Sequence, residues 1–428
     1  MKVRKLFGLI FIVPPVYAAP GSDAFNVDLS ASTLRTDNAR KYGQQVGNSN
    51  LSEQQNLYEV GVSGKYSGEL VVLSAGYVVS DQQYTEDSQP SYTSLVGSLQ
   101  LDIGNNYQPL HLNIAHNNES LLNAPDAIDI STNREERSTL SVMPSVRWRP
   151  SEADSVEASV RFTDVAYDKQ EKKDSSQVAG QLAWQREINK ISSLKLALIS
   201  SEVSFDISPL FDYKLESAVA SFSTKLRHLS YSASAGINRV AQESKNLEFT
   251  RPNYQLSVNY ENAFNEFGLD LSRRVSDSSS GNGAMFGGTP TTTSENGIDI
   301  IDITEASLHW STDWVCERCT IGFSAGRSKE NYQSLAEDAI VDTLGANASY
   351  RIGRNGTLSM SYRSNERSFD FSSARQSFSD ESYEVAYSHR FINKLSTNVF
   401  IRKYIRDSVS SLATYDENIV GIKLTYSF

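Results

Sequence analysis

The chain ends on a strict alternation. Val420, Ile422, Leu424, Tyr426 and Phe428 occupy every second position, and Gly421, Lys423, Thr425 and Ser427 stand between them. A backbone with a side-chain period of two is a β-strand, and one apolar face beside one polar face places it at a boundary between an apolar medium and water. The pattern recurs along the chain. Val156, Ala158, Val160 and Phe162 oppose Glu157, Ser159, Arg161 and Thr163, and Tyr254, Leu256, Val258 and Tyr260 oppose Gln255, Ser257 and Asn259. Phe267, Leu269 and Leu271 oppose Gly268, Asp270 and Ser272, while Leu358, Met360 and Tyr362 oppose Ser359, Ser361 and Arg363.

About twenty such runs are expected, beginning near 24–36, 55–67, 69–82, 92–103 and 107–118 and ending at 416–428. The connections alternate in length. Ser67-Gly68, Gly104-Asn105-Asn106, Asn189-Lys190-Ile191, Gly353-Arg354-Asn355 and Asn393-Lys394 suit tight reversals. Longer ones, including 38–54, 120–133, 278–298 and 370–379, are rich in Ser, Asn, Asp, Gly and Thr. The most polar of these, SDSSSGNGAMFGGTPTTTSENG (276–297), is expected to be a mobile external loop; the alternative is that it folds inward and narrows a pore.

The first residues, MKVRKLFGLIFIVPPVYA, read as a secretory signal: Lys2, Arg4 and Lys5, then a short apolar run, then Val16-Tyr17-Ala18 before cleavage after Ala18. The apolar run is too short to span a bilayer as a helix, and Pro14-Pro15 would break one. Losing its three positive charges takes the formal net charge from −11 to −14, which excludes a nucleic-acid partner that needs a basic stripe. Hydrophobic residues make up 39% of the chain, a value open to a soluble protein or a membrane barrel, so periodicity has to decide.

Alternating strands, short turns at one end, long loops at the other and an export signal together imply an all-β fold. It is a single closed antiparallel transmembrane β-barrel of about twenty strands (alternatively eighteen) over residues 19–428, in the bacterial outer membrane. The short turns face the periplasm. Strand one follows the cleavage site closely, so no amino-terminal plug domain is expected. By parity Glu59, Lys65, Arg147, Glu157, Arg161, Asp270, Arg274, Arg363, Glu384, Arg402 and Lys423 point inward, because charge on the lipid face is costly. Their mixed signs argue against a purely anion- or cation-selective filter. Trp148, Trp184, Tyr387 and Phe391 suit an interfacial girdle. Twenty tilted strands enclose a backbone diameter on the order of 40 Å, wide enough for a solute larger than one sugar.

Catalytic motifs are missing: no H-E-x-x-H, no G-x-S-x-G and no phosphate-cradling glycine loop. His116 and His389 are the candidates a barrel enzyme would need, and neither lies in a recognisable sequence constellation. No enzyme activity, cofactor or metal is expected. Cys316 and Cys319, in WVCERC, are read as a disulfide across a tight turn, with a free pair as the alternative.

The final Phe428 on an apolar alternation (Val420, Ile422, Leu424, Tyr426, Phe428) resembles the signal by which outer-membrane barrels engage their assembly machinery. The first strand, VDLSASTLRTDN (27–38), and the hairpin RSTLSVMPSVRWRPSEADSVEASVRFTDVAYD (137–168) resemble the outer-membrane β-barrel porins encoded with bacterial exopolysaccharide and exosortase systems. These motifs cover about a tenth of the chain, and the twenty runs exceed the eighteen expected of several members. The resemblance implies an outer-membrane conduit for exopolysaccharide or capsular polysaccharide, with a periplasmic polysaccharide export protein and an inner-membrane co-polymerase as partners. A general or sugar-selective diffusion porin is the alternative, and a structural or adhesive surface barrel with a closed lumen the third.

Overall fold

The computed structural model describes residues 24–41, 51–105, 107–280, 298–370, 373, 375–392 and 394–428. The expected signal sequence, residues 1–18, lies outside them, as does 281–297 of the long polar connection. The strands are β1 (Ala24–Thr36), β2 (Glu53–Ser67), β3 (Val71–Tyr84), β4 (Tyr92–Ile103) and β5 (Leu110–Leu122). Next come β6 (Arg134–Trp148), β7 (Asp154–Tyr167), β8 (Ser175–Asn189), β9 (Ser192–Phe205) and β10 (Tyr213–Lys225). Then follow β11 (Leu229–Gln242), β12 (Leu247–Glu261), β13 (Asn265–Asp277), β14 (Ile300–Thr312) and β15 (Cys319–Tyr332). The last are β16 (Ala339–Ile352), β17 (Gly356–Phe369), β18 (Phe378–Ile392), β19 (Leu395–Ser408) and β20 (Tyr415–Ser427).

Each strand pairs antiparallel with the next, and β20 pairs with β1 from Asp28↔Ser427 to Thr36↔Ile419. The sheet is therefore a closed barrel of twenty strands, not eighteen. Closure satisfies backbone groups on both sides of every strand, which is the condition for crossing a bilayer without helices. The observed β3 and β5 start two or three residues later than the alternation suggests. Gly68 N–H donates to Val71 O and Gly104 N–H to Leu70 O, so the alternation runs on into the turns that these bonds close. Following the pairings once around the ring displaces the path by about 26 residues along β1. That stagger corresponds to a tilt of about 45° and a diameter of roughly 40 Å.

The two faces are identified by contacts that cross the ring. The Arg137 (β6), Tyr167 (β7) and Tyr213 (β10) side chains all touch residues 277–279, and Arg406 (β19) touches the β5–β6 connection. Contacts between strands so far apart exist only inside a barrel. Arg147, Glu157, Arg161 and Arg402 share strand and parity with these residues, so their face is the lumen. The opposite face is apolar and uncovered: Val420, Ile422, Leu424, Tyr426 and Phe428 are 53, 42, 48, 37 and 59% exposed. Burying apolar surface stabilises a water-soluble fold by about 25 cal/mol per Å², so a wall of exposed Val, Leu, Ile and Tyr is a lipid surface.

At the periplasmic rim, Gly353 holds φ +67° in the β16–β17 turn, a left-handed conformation that glycine adopts without a Cβ penalty. The β14–β15 turn is bridged by a Cys316–Cys319 disulfide with Cα atoms 5.2 Å apart. Phe428 N–H donates to Val27 O at 2.9 Å, tying the chain end to β1.

The barrel departs from a regular cylinder at one place. β12 and β13 pair only between Tyr254↔Arg273 and Glu261↔Glu266, although β12 pairs with β11 up to Leu247 and β13 with β14 up to Asp277. Above Tyr254 β13 parts from β12, while β14 stays paired with β15 up to Ile301↔Tyr332, and the β13–β14 hairpin bends toward the lumen. Pro252, which lacks an N–H to donate to a ladder, sits where the pairing stops. Val275 and Ile300, on the hairpin's outer parity, thereby meet the inner wall and pack with Val203, Phe205, Tyr213 and Val240. On the hairpin's other face Ile301 and Ile303 pack with Tyr332 and Leu335. These two clusters stand in for a core.

Candidate functional site

Lower in the lumen, charge faces charge. Glu59 accepts from Lys423 and from Ser30 Oγ, the latter at 2.7 Å. Arg147 donates to Glu157 through Nε and Nη2, at 2.9 and 2.6 Å. Arg402 binds Glu384 across the β18–β19 ladder, and its guanidinium lies 5.2 Å from the Phe400 ring centroid. Six of the expected inward charges are thus one another's partners, in three pairs. Arg274 binds Glu305 at 2.6 Å, a residue that parity in TEASLHW also assigns to the lumen. Arg161 donates to Met143 Sδ at 3.3 Å, and Lys65, Asp270 and Arg363 share strand and parity with the inward set. Pairing across the wall leaves a lumen of nearly balanced charge, which suits a polar, weakly charged solute.

At the extracellular end, described residues of the connections crowd inward. Residues 277–280 were expected at the start of a mobile external loop; instead Asp277, Ser278 and Ser279 are 5, 0 and 2% exposed and lie inside the barrel. The Tyr213 hydroxyl donates to Asp277 Oδ2 at 2.5 Å, and the Tyr167 hydroxyl to Ser279 O at 2.5 Å. Arg137 donates to the same carbonyl while its Nη2 binds Glu119 at 2.7 Å. The polar composition of this segment reads as solvent-exposed, but hydrogen bonds to the inner wall satisfy it. A cavity of about 150 Å³ remains beneath it, lined by Thr139, Thr163, Gln177 and Asp277 among others. The missed signal is Ile298-Asp299-Ile300-Ile301-Asp302-Ile303: two adjacent isoleucines break the alternation, which means burial on both faces.

Further connections lock over the hairpin. Arg375, between β17 and β18, binds Asp126 of the β5–β6 connection at 3.0 Å and Glu337 of the β15–β16 connection at 3.1 Å. Arg406 donates to Ala127 O at 3.0 Å and to Asp126 O at 3.2 Å. Arg367 pairs with Glu330, both buried. Lys173, from the short turn Glu171–Lys173, has its ammonium 3.7 Å from Glu135 and over the Tyr167 ring; both charged side chains are 0% exposed. Burial pushes the Lys173 amine down to about 8, against the pull of Glu135. Lys41 is only partly buried, and the phenols and carboxylates of Tyr415, Asp129, Glu417 and Tyr404 outweigh its desolvation and raise it. The described part of the β13–β14 hairpin therefore lies inside the upper lumen, with ion pairs contributed from around the rim beside it.

On the outer wall, His116 is not isolated. Its Nδ1 lies 2.6 Å from the Tyr77 hydroxyl and its Nε2 3.0 Å from Ser138 Oγ. The three come from β3, β5 and β6, separations that sequence spacing conceals. His389 sits between Tyr387 and Phe391 in an aromatic row near the periplasmic rim. Among the described residues, no cluster of His, Cys, Asp and Glu is placed to hold a metal ion.

No protein-family model matches the chain, and no curated protein matches it. Solved structures similar to it include a loop-deleted OmpT, an outer membrane protein of Vibrio cholerae, at 10% identity and TM-score 0.39, covering 95% of this chain and 100% of that one. The outer membrane protein opdK from Pseudomonas aeruginosa is similar at 11% identity and TM-score 0.40, covering 95% and 99%. The siderophore receptor PirA from Acinetobacter baumannii is similar at 10% identity and TM-score 0.49, covering 94% and 80%.

Proposed function

We propose that this outer-membrane barrel is a gated conduit that takes part in exporting exopolysaccharide or capsular polysaccharide. The observation that supports it best is the inward hairpin. A general diffusion porin works with an unobstructed aqueous opening, whereas here the described part of the β13–β14 hairpin is bonded inside the upper lumen and ion pairs join connections around the extracellular rim. A channel narrowed in this way would widen when the hairpin is displaced, and a polymer threaded from the periplasm would do so. The balanced charge of the inner wall fits a polar polymer of low charge density, and the resemblance of the first strand and of residues 137–168 to porins of exopolysaccharide loci supplies the polymer class. A periplasmic polysaccharide export protein would deliver the chain at the periplasmic rim, and the barrel-assembly machinery would recognise the Val420 to Phe428 face.

A sugar-selective diffusion porin is the second reading, favoured by the paired, hydroxyl-rich wall. Deleting the gene, then assaying surface polysaccharide and the site where undelivered polymer accumulates, separates the two. Loss at the surface with periplasmic accumulation, restored by the intact barrel, supports export. Unchanged polysaccharide with altered small-solute permeability refutes it in favour of the diffusion porin.

A further inference from the structure

We infer that the outer wall carries an acyl-transfer site, with Ser138 as nucleophile, His116 as general base and Tyr77 as the positioning residue, directed at an acyl ester of a membrane lipid. The three side chains form one hydrogen-bonded row: Ser138 Oγ to His116 Nε2 at 3.0 Å, and His116 Nδ1 to the Tyr77 hydroxyl at 2.6 Å. A hydroxyl on an imidazole whose second nitrogen is held by a third group is the arrangement that activates a serine. If the Tyr77 oxygen accepts from Nδ1–H, Nε2 is left as the acceptor for the Ser138 proton.

The row is built, not incidental. Tyr77 and His116 stack with ring centroids 5.9 Å apart although they stand on β3 and β5, with β4 between them. The residue paired with Tyr77 on β4 is Gly97, where any Cβ would come within 2.6 Å of the Tyr77 Cα and Cδ1 atoms. Only glycine lets the tyrosine ring lie across β4 to reach the histidine. Asn118 stands directly opposite Ser138 in the β5–β6 ladder and offers a carboxamide beside the nucleophile.

Location names the substrate class. His116 and Ser138 have the outward parity of Ile114 and Leu140, and Leu140 is exposed to lipid. On the extracellular side of them the same face turns polar, with Asn118, Glu136 and Thr93. The row therefore stands where the apolar belt ends, at the depth of the ester bonds of outer-leaflet lipid. Ser138 Oγ would attack the ester carbonyl carbon as His116 Nε2 takes its proton. The acyl C–O bond then breaks and the leaving alcohol takes that proton. Water attacks the acyl-serine, again giving its proton to His116; the fatty acid departs and Ser138 is reprotonated. The net change is ester plus water to acid plus alcohol.

The test uses the full barrel reconstituted in mixed micelles with phospholipid in one arm and lipopolysaccharide in the other, reading released fatty acid by mass spectrometry. A fluorophosphonate probe reports on serine activation independently. The expected result is release in at least one arm, which names the lipid, with probe mass on the peptide holding Ser138. S138A and H116A should lose at least about a hundredfold of the release, and Y77F less, with a displaced pH profile. Heat-modifiable gel mobility confirms that each variant is folded. Release undiminished in folded S138A, or no release in either arm with no labelling of Ser138, overturns the assignment without touching the conduit.

Discussion

Lys173 and Glu135 give the sharpest test of how the rim is held. Both side chains are wholly buried and 3.7 Å apart, Lys173 from the turn before β8 and Glu135 from the start of β6. Lys173→Met removes the ammonium and leaves a buried carboxylate without its counter-charge, at a cost of about 3–5 kcal/mol. Glu135→Met leaves the ammonium in the same position and should cost a similar amount. The double variant places two apolar chains of similar volume together and is expected within about 1 kcal/mol of the parent, or more stable, because neither charge then has to be desolvated. Two readouts apply: chemical unfolding of the barrel in micelles, and open probability in planar bilayers. If the pair holds the closed rim, 3 kcal/mol raises the open-to-closed ratio of each single variant by roughly a hundredfold, and the double variant restores closure. A double variant whose effect is simply the sum of the singles, with coupling under about 0.5 kcal/mol, refutes the argument.

Tyr213→Phe removes the hydroxyl that donates to Asp277 Oδ2 and should raise open probability in planar bilayers; unchanged conductance would show that this bond does not hold the hairpin. Leu424→Arg on the lipid face should cost about 2–4 kcal/mol in folding into vesicles while Thr425→Lys costs under about 1, and equal tolerance would invert the facing of β20. Deleting Phe428 should lower membrane insertion in cells, read by the yield of heat-modifiable barrel.

Strand number and topology were legible because alternation is a local property. Glu59 with Lys423, and Arg147 with Glu157, lie on faces that parity assigns directly. The rim was not legible, because its contacts depend on which strands oppose one another across the ring, and only the accumulated stagger of all twenty fixes that. Lys173 stands in DKQEKKDSS, a charge run that reads as solvated, yet it is wholly buried beneath Tyr167. Ser279 reads as loop and is a hydrogen-bond acceptor for two strands of the wall. The Tyr77–His116–Ser138 row is hidden for the same reason, with one partner 39 residues away and the other 22.

The missing ladder between upper β12 and β13 has a mechanical meaning. A continuous ring of hydrogen bonds resists widening, since any increase in circumference must stretch or break a bond in some ladder. A cylinder slit partway down behaves differently: its lower section keeps full hoop stiffness while its slit end flexes like the mouth of a collet. The slit ends at Tyr254↔Arg273, so the periplasmic half is a rigid collar of twenty paired strands. Only the extracellular rim is compliant. It can spread at the slit without breaking a backbone ladder, giving up only the side-chain bonds that tie Asp277 and Ser279 of the hairpin to the opposite wall.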